Sequence, residues 1–393
     1  MKINSFLNIL FISLFTVFIS CDPSSDKLFT LMPSSFTGIK FRNPLRYTES
    51  FNVLTFGNFY YGGGISIGDI NNDGLSDIYF TGNMVGSRLY LNQGNFKFKE
   101  IAEQAGVFAE GLWNTGTTMA DVNGDGLIDI YVCRSAANNP EKRRNLLFIN
   151  NGDLTFTEMG KKYGVDDSGF STQGAFFDYD NDGDLDLYVL NHSVLEYSTL
   201  GKITSYHKKL KNYAYSDRLL RNDNGKFVDV TEDSGLISNI LGFGLGIALS
   251  DINNDEFTDI YISNDYNEQD YLYLNNGDGT FNNVIDDRLK HISQFSMGTD
   301  TGDINNDGFM DLMTLDMASD DHYRSKTNMG SMSAEKFHGL VNSGNHYQYM
   351  ANTLQVNSGC GTFSDVANMA GIAKTDWSWA GLLVDLDNDG FKD

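Results

Sequence analysis

The stretch Asp121-Val122-Asn123-Gly124-Asp125-Gly126-Leu127-Ile128-Asp129, followed at once by Ile130-Tyr131-Val132, decides the fold. Acidic or amide side chains stand at positions one, three, five and nine, glycine stands at six, and a β-branched and aromatic run follows without a spacer. The pattern recurs as DINNDGLSD from Asp69, DYDNDGDLD from Asp178, DINNDEFTD from Asp251, DINNDGFMD from Asp303 and DLDNDGFKD from Asp385. Six copies at intervals of 52, 57, 73, 52 and 82 residues make an internal repeat.

Each copy has the same surroundings. A short apolar stretch opened by glycine precedes it, as in Gly116 to Ala120 or Gly381 to Val384. Strand-forming residues follow it, among them Ile78-Tyr79-Phe80, Leu187-Tyr188-Val189 and Ile260-Tyr261-Ile262. Further on lies a hairpin signal: Asn92-Gln93-Gly94, Asn150-Asn151-Gly152, Asn222-Asp223, Asn275-Asn276-Gly277 and Asn357-Ser358-Gly359. Asn and Gly accept the positive φ that tight hairpins need. Each unit therefore reads strand, acidic loop, strand, variable loop, strand, Asn/Gly turn, strand. Four strands per unit of about 50 residues predict an all-β protein, a β-propeller of four-stranded blades; a stacked solenoid is the alternative.

Composition agrees. Of 393 residues, 52 are acidic and 28 basic, a formal charge of −24, and 41 of the acids are Asp. Asp in such excess belongs to turns and metal loops rather than helix faces. A polyanion of this size repels nucleic acid, which is not an expected partner. A hydrophobic content of 41% excludes disorder.

Phe6 to Ile19 is an apolar run behind Lys2, too short to span a bilayer and laid out like a secretory signal. Ser20-Cys21 resembles a bacterial lipobox, so residues 1–20 are expected to be a signal peptide, Cys21 a lipidated N-terminus and 21–27 a tether; an ordinary signal with an incidental cysteine is the alternative. The expected location is an exported lipoprotein at the bacterial outer membrane or cell surface, touching the membrane only through that anchor. Cys133 and Cys360 make no disulfide framework, which leaves bound metal as the source of rigidity.

Short-spaced carboxylates with a turn glycine are the hard oxygen donors Ca²⁺ prefers, as in the first part of an EF-hand loop; Mg²⁺ demands stricter geometry. Asx-turns without metal are the competing reading. Against it, two like charges near 4 Å cost about 1 to 4 kcal/mol even in wet surroundings.

The repeats resemble the FG-GAP, or VCBS, repeats of integrin α-subunit propellers, especially bacterial relatives with ASPIC/UnbV regions, over residues 28–393. The resemblance implies about one Ca²⁺ per blade, between its first and second strands. Carried over, the ligand sets are Asp69, Asn71, Asp73 and Asp77; Asp121, Asn123, Asp125 and Asp129; Asp178, Asp180, Asp182 and Asp186; Asp251, Asn253, Asp255 and Asp259; Asp303, Asn305, Asp307 and Asp311; and Asp385, Asp387, Asp389 and Asp393. Glu256 replaces the turn glycine of the fourth set, which is expected to be the weakest or to use Glu256 as an extra ligand. Asp393 ends the sixth loop before its following strand, so six or seven blades and a C-terminal truncation are expected.

Long insertions, Arg134 to Asn145, Asn191 to Asp217 and Asp316 to Met350, all fall between second and third strands, on the face opposite the acidic loops. They carry 11 basic against seven acidic residues and five of the six His. Arg143, Arg144, His192, Tyr206, His207, Lys208, Lys209, Arg324 and His346 are the expected ligand-binding face, suited to an acidic glycan. An ordinary solvated helix at Lys202 to Lys211 is the plainer reading of its basic run. The expected function is a noncatalytic, Ca²⁺-stiffened surface propeller that binds glycans or protein partners. A polysaccharide lyase using His207, Tyr206 and Arg324 is the alternative.

Overall fold

The structure is a computed structural model that describes residues 28–393 except 111–112, 196–205, 267 and 328–333. The signal, the tether and Cys21 lie outside the described residues. So does Lys202 to Ser205, and the rest of the basic run forms only a short 3₁₀ turn, His207–Lys209.

The fold is all-β, built from five four-stranded antiparallel sheets in simple meander order. The first comprises β1 (Ile65–Gly68), β2 (Asp77–Phe80), β3 (Arg88–Asn92) and β4 (Phe98–Glu100). The second is β5 (Asn114–Ala120), β6 (Asp129–Arg134), β7 (Leu146–Asn150) and β8 (Phe156–Glu158). The third is β9 (Ser171–Phe177), β10 (Asp186–Asn191), β11 (Arg218–Asn222) and β12 (Phe227–Asp229). The fourth is β13 (Gly244–Ser250), β14 (Asp259–Asn264), β15 (Tyr271–Asn275) and β16 (Phe281–Asn283).

The fifth sheet is interrupted. After β17 (Ile292–Ser293) come β18 (Thr299–Gly302) and β19 (Asp311–Thr314), then the insertion with β20 (Met317–Ala318), two helices and β21 (Gln348–Tyr349), and last β22 (Thr353–Asn357) and β23 (Phe363–Asp365). β17 pairs in parallel with β21, and β20 pairs with β24 (Asp376–Trp377). These two small ladders fasten the longest insertion to the body.

The sheets are arranged as in a propeller. First strands pack on first strands in sequence, β1 on β5, β5 on β9, β9 on β13 and β13 on β18. Residues after β24 continue the series: the Leu383 N–H donates to Asp300 Oδ2 at 2.8 Å. Apolar clusters fill each junction. Tyr79, Leu89, Ile130 and Phe148 lie between the first two sheets. Tyr131, Leu187, Val122 and Phe227 lie between the second and third, with Tyr131 and Phe176 rings 5.7 Å apart. Second strands are sandwiched on both faces, so β6, β10 and β14 are buried along their whole length, with an apolar run between a leading Asp and a polar last residue.

Close approach of the first strands explains the glycine that opens them. Gly64, Gly116, Gly246 and Gly298 each stand five residues before the first Asp of a loop. A Cβ on Gly116 would sit 2.4 Å from the Thr172 carbonyl oxygen, and one on Gly298 2.2 Å from that of Trp379. In the third sheet the same place is held by Gln173.

Candidate functional site

All six acidic loops fold alike. The first Asp accepts two backbone N–H groups: in the second loop Asp121 Oδ1 takes that of Asp125 at 3.1 Å and Oδ2 that of Gly126 at 2.8 Å. Asp125 Oδ1 then accepts from Leu127 N–H at 2.9 Å. The ninth residue ties the loop to the sheet. Asp129 Oδ2 accepts from Val122 N–H at 3.1 Å, and its Oδ1 accepts from Asn150 N–H at 2.8 Å, in the hairpin turn. Asp186 repeats this with Tyr179 and Asn222 at 3.0 and 2.7 Å, and Asp393 accepts from Leu386 N–H at 2.8 Å in the sixth loop.

The turns need left-handed residues at positions four and six. Asn or Gly fills position four, with Asn72 at φ +56° and Gly124 at +71°. Glu256 sits at φ +72° where the other loops have glycine, which costs a residue with a Cβ about 1 kcal/mol.

The carboxylates converge. Oxygens of Asp178, Asp180 and Asp186 lie within 4.8 Å of one another, as do those of Asp385, Asp387 and Asp393. Asp180 Oδ1 is buried and has no hydrogen-bond partner. In four other loops position three is Asn, whose amide nitrogen donates to the fifth-position Asp, as from Asn71 to Asp73 at 3.0 Å. Burial, opposed by the backbone donors and reinforced by the neighbouring loop carboxylates, raises Asp129 and Asp259 to about 6 and Asp186 to about 7.

Amides also stitch loop to loop. Asn72 donates to the Gly126 carbonyl at 3.0 Å, Asn181 to Glu256 at 3.2 Å, Asn254 to Gly308 at 3.1 Å and Asn306 to Gly390 at 3.0 Å. Hairpin amides reach back to the preceding sheet: Asn150 to Ile70 O, Asn275 to Tyr179 O and Asn357 to Ile252 O, at 2.7 to 2.9 Å. The junction between second and third sheets differs. Gly124 has no amide to offer, and Asn222 reaches only Leu185 in its own sheet. Among the described residues, no acidic-loop or hairpin amide crosses there; at the opposite end Asn145 donates to Ser171 Oγ at 2.9 Å.

The insertions leave from the ends of β6, β10 and β19, opposite the acidic loops. Their cations are mostly engaged. Arg143 is 4% exposed, its guanidinium 3.9 Å over the Phe170 ring and bonded to the Ser168 carbonyl. Arg144 pairs with Glu141 at 2.8 Å and Asp166 at 2.9 Å. Lys208 lies 3.7 Å from buried Glu268, Arg324 pairs with Asp376, and His346 lies 3.2 Å from Asp286. His192 is buried too. The expectation of an open basic face is therefore corrected at Arg143 and His192, which are interior. Tyr206 and Lys209 are exposed, and Tyr206 and His207 are neighbours with rings 6.1 Å apart.

A cavity of about 160 Å³ opens where the first strands begin, at the end of the sheets away from the acidic loops. Segment 56–64, Gly116, Gln173, His192, Leu245 and Trp379 contribute to its wall. His192 Nδ1 donates to the Ser193 carbonyl at 3.0 Å. Its Nε2 therefore accepts from Ser135 Oγ at 2.9 Å, and Asn58 Nδ2 stands against the ring, 3.0 Å from Nδ1 and 3.1 Å from Nε2.

Against known proteins, residues 69–132, 135–189 and 251–314 match the FG-GAP-like repeat. The chain carries FG-GAP-like repeats. Mouse cartilage acidic protein 1 is 26% identical over 222 residues, 56% of this chain and 32% of that protein. Its Xenopus tropicalis counterpart is 33% identical over 135 residues, 34% of this chain and 20% of that protein. The match thus spans a third or less of these relatives' length. Among solved structures, the V. cholerae biofilm matrix protein Bap1 is similar at TM-score 0.33 and 14% identity, covering 65% of this chain and 34% of that one. A glycoside hydrolase family 43 arabinoxylan arabinofuranohydrolase from Bacillus subtilis is similar at TM-score 0.35 and 13% identity, covering 81% of this chain and 67% of that one.

Sequence reasoning on the FG-GAP-like repeats found the loops but missed the stitching amides and the cavity. The stitching had a signal, Asn at position four of five loops. Gln173 had one as well, standing where four repeats have glycine.

Proposed function

We propose that the chain is a noncatalytic β-propeller scaffold, stiffened by Ca²⁺ in its acidic loops and displayed at a cell surface, where it binds glycans or protein partners. The convergent oxygens of the loops carry this reading. In the third loop, three carboxylates crowd within 4.8 Å, and two buried oxygens there, Asp180 Oδ1 and Asp184 Oδ1, lack any donor. Hard oxygen donors at such spacing suit Ca²⁺, which would relieve their mutual repulsion and hold them ionised. Positions one, three, five and nine of each loop would hold the ion, six sites in all on the six motifs, with Glu256 a further donor in the fourth.

The bacterial ASPIC/UnbV branch and lipid attachment at Cys21 belong to the same proposal, supported by the apolar run before Ser20. Among the described residues, no helix is long and apolar enough to cross a membrane. Insertions gathered on one face, with exposed Tyr206, Tyr213, Tyr323, Tyr347 and Tyr349, offer the contact surface.

The test is calcium titration followed by partner capture. Calorimetry should show several Ca²⁺ per chain, EGTA should lower the melting temperature sharply, and the Ca²⁺-loaded chain should be retained on a glycan array without turnover. An unchanged melting temperature in EGTA refutes the stiffening, and unsaturated products released from uronate polysaccharides would replace binding with lyase chemistry.

A further inference from the structure

The cavity at the starts of the first strands has a wall without charge. Its polar side chains include Asn58, Thr115, Ser135, Thr172 and Gln173, and His192 is kept neutral by burial, which pushes it down to about 4. In a chain of net charge −24 such a wall is unusual, and it selects an uncharged ligand. Trp113, Trp379 and Tyr61 supply aromatic surface, the Tyr61 and Trp379 rings standing 4.9 Å apart.

Gln173 makes the site specific to this place in the fold. In register with Gly64, Gly116, Gly246 and Gly298, it alone among these five positions carries a side chain toward the crowded strand starts. It is half-buried, and among the described residues its amide makes no side-chain hydrogen bond. A partly buried amide with unused donors and acceptor beside aromatic rings is suited to a molecule with hydroxyls on its edge and C–H groups on its face. Behind it, Ser135 bonds the His192 ring and the Asn58 amide packs against it, which holds that wall in place.

We propose that this cavity binds one neutral sugar residue, its hydroxyls held by the Gln173 amide and its ring packed on Trp379 and Tyr61. The inference rests on the reading of the chain as a binding scaffold and changes the expected ligand from an acidic glycan to an uncharged one.

Two of the three tryptophans line the cavity, so their emission reports on it. Glucose, galactose, fucose, N-acetylglucosamine and glucuronate are titrated separately into the Ca²⁺-loaded full chain and into its Gln173→Gly variant. Glycine is the residue four other repeats carry at this register, so the variant is built to fold, and its melting temperature checks that it does. At least one neutral sugar should give a saturable emission change, weakened at least tenfold by Gln173→Gly, with glucuronate weaker than the neutral sugars. No saturable change with any neutral sugar at tens of millimolar, equal affinity in the variant, or a preference for glucuronate overturns the assignment. Retention of both proteins on a glycan array with equal strength would sink the pocket while leaving the scaffold reading intact.

Discussion

Asp186 offers the sharpest test of the acidic loops, because its side chain has two separable tasks. It accepts the N–H groups of Tyr179 and Asn222, both buried, and it stands among Asp178 and Asp180. Asp186→Ala leaves both donors without acceptors, at about 1 to 3 kcal/mol each, so metal-free protein should lose about 2 to 6 kcal/mol. In calcium at about a hundredfold above the dissociation constant, one lost site removes about 2.7 kcal/mol more. Asp186→Asn keeps one acceptor and should lose less in EGTA while still forfeiting much of the calcium increment. Urea unfolding of the three proteins in Ca²⁺ and in EGTA reads both tasks, and calorimetry counts the ions. Equal losses in the two media, with an unchanged number of bound ions, would refute the ligand assignment and leave Asp186 as a turn cap.

Other consequences follow from the same loops. Asp129, Asp186 and Asp259, at about 6, 7 and 6, lie above their ordinary 3.8, so the metal-free folded chain holds protons that the unfolded chain has released. That contribution is fully present below about pH 4 and is lost as pH rises through about 7, whereas calcium held by these carboxylates would displace the protons. The melting-temperature gain from calcium should therefore grow between about pH 5 and about pH 8, and a gain that shrinks contradicts the linkage. In EGTA, Glu256→Gly should stabilise by about 1 kcal/mol through release of the left-handed strain, read by urea midpoint, while in Ca²⁺ loss of the extra donor should offset that gain. Gly124, at φ +71° with open space around its missing Cβ, should accept Asn, and the new amide should stabilise by up to about 1 kcal/mol by reaching the third loop; an unchanged midpoint would mean that it does not reach.

The repeated sheets were legible because one local pattern specifies them. The Asp that closes each loop also begins the second strand and fixes the hairpin Asn, so nine residues encode the joint between three strands. Asn92 and Asn150, read as turn formers, prove also to give their N–H groups to Asp77 and Asp129. The opposite face was harder. Lys208, Arg324 and His346 looked like a basic patch because their partners Glu268, Asp376 and Asp286 lie outside the insertions and only folding brings them near, and Arg144 adds such a partner, Asp166, to the nearby Glu141. Arg143 and His192 went inside because backbone carbonyls and aromatic rings satisfy them there, a solution that composition does not register. The cavity escaped notice because it is assembled from single residues of separate repeats.

The junction between second and third sheets, unstitched at its acidic-loop end, changes how the packed sheets respond to cold. At the acidic-loop end, amides bridge the neighbouring junctions, but this one relies on Tyr131, Phe176 and Phe227. Apolar contact loses strength on cooling while hydrogen bonds do not share that decline. Refrigeration should therefore loosen the acidic-loop end of this one seam first, and amide exchange around Val122 and Phe176 should quicken relative to the other junctions as the temperature falls.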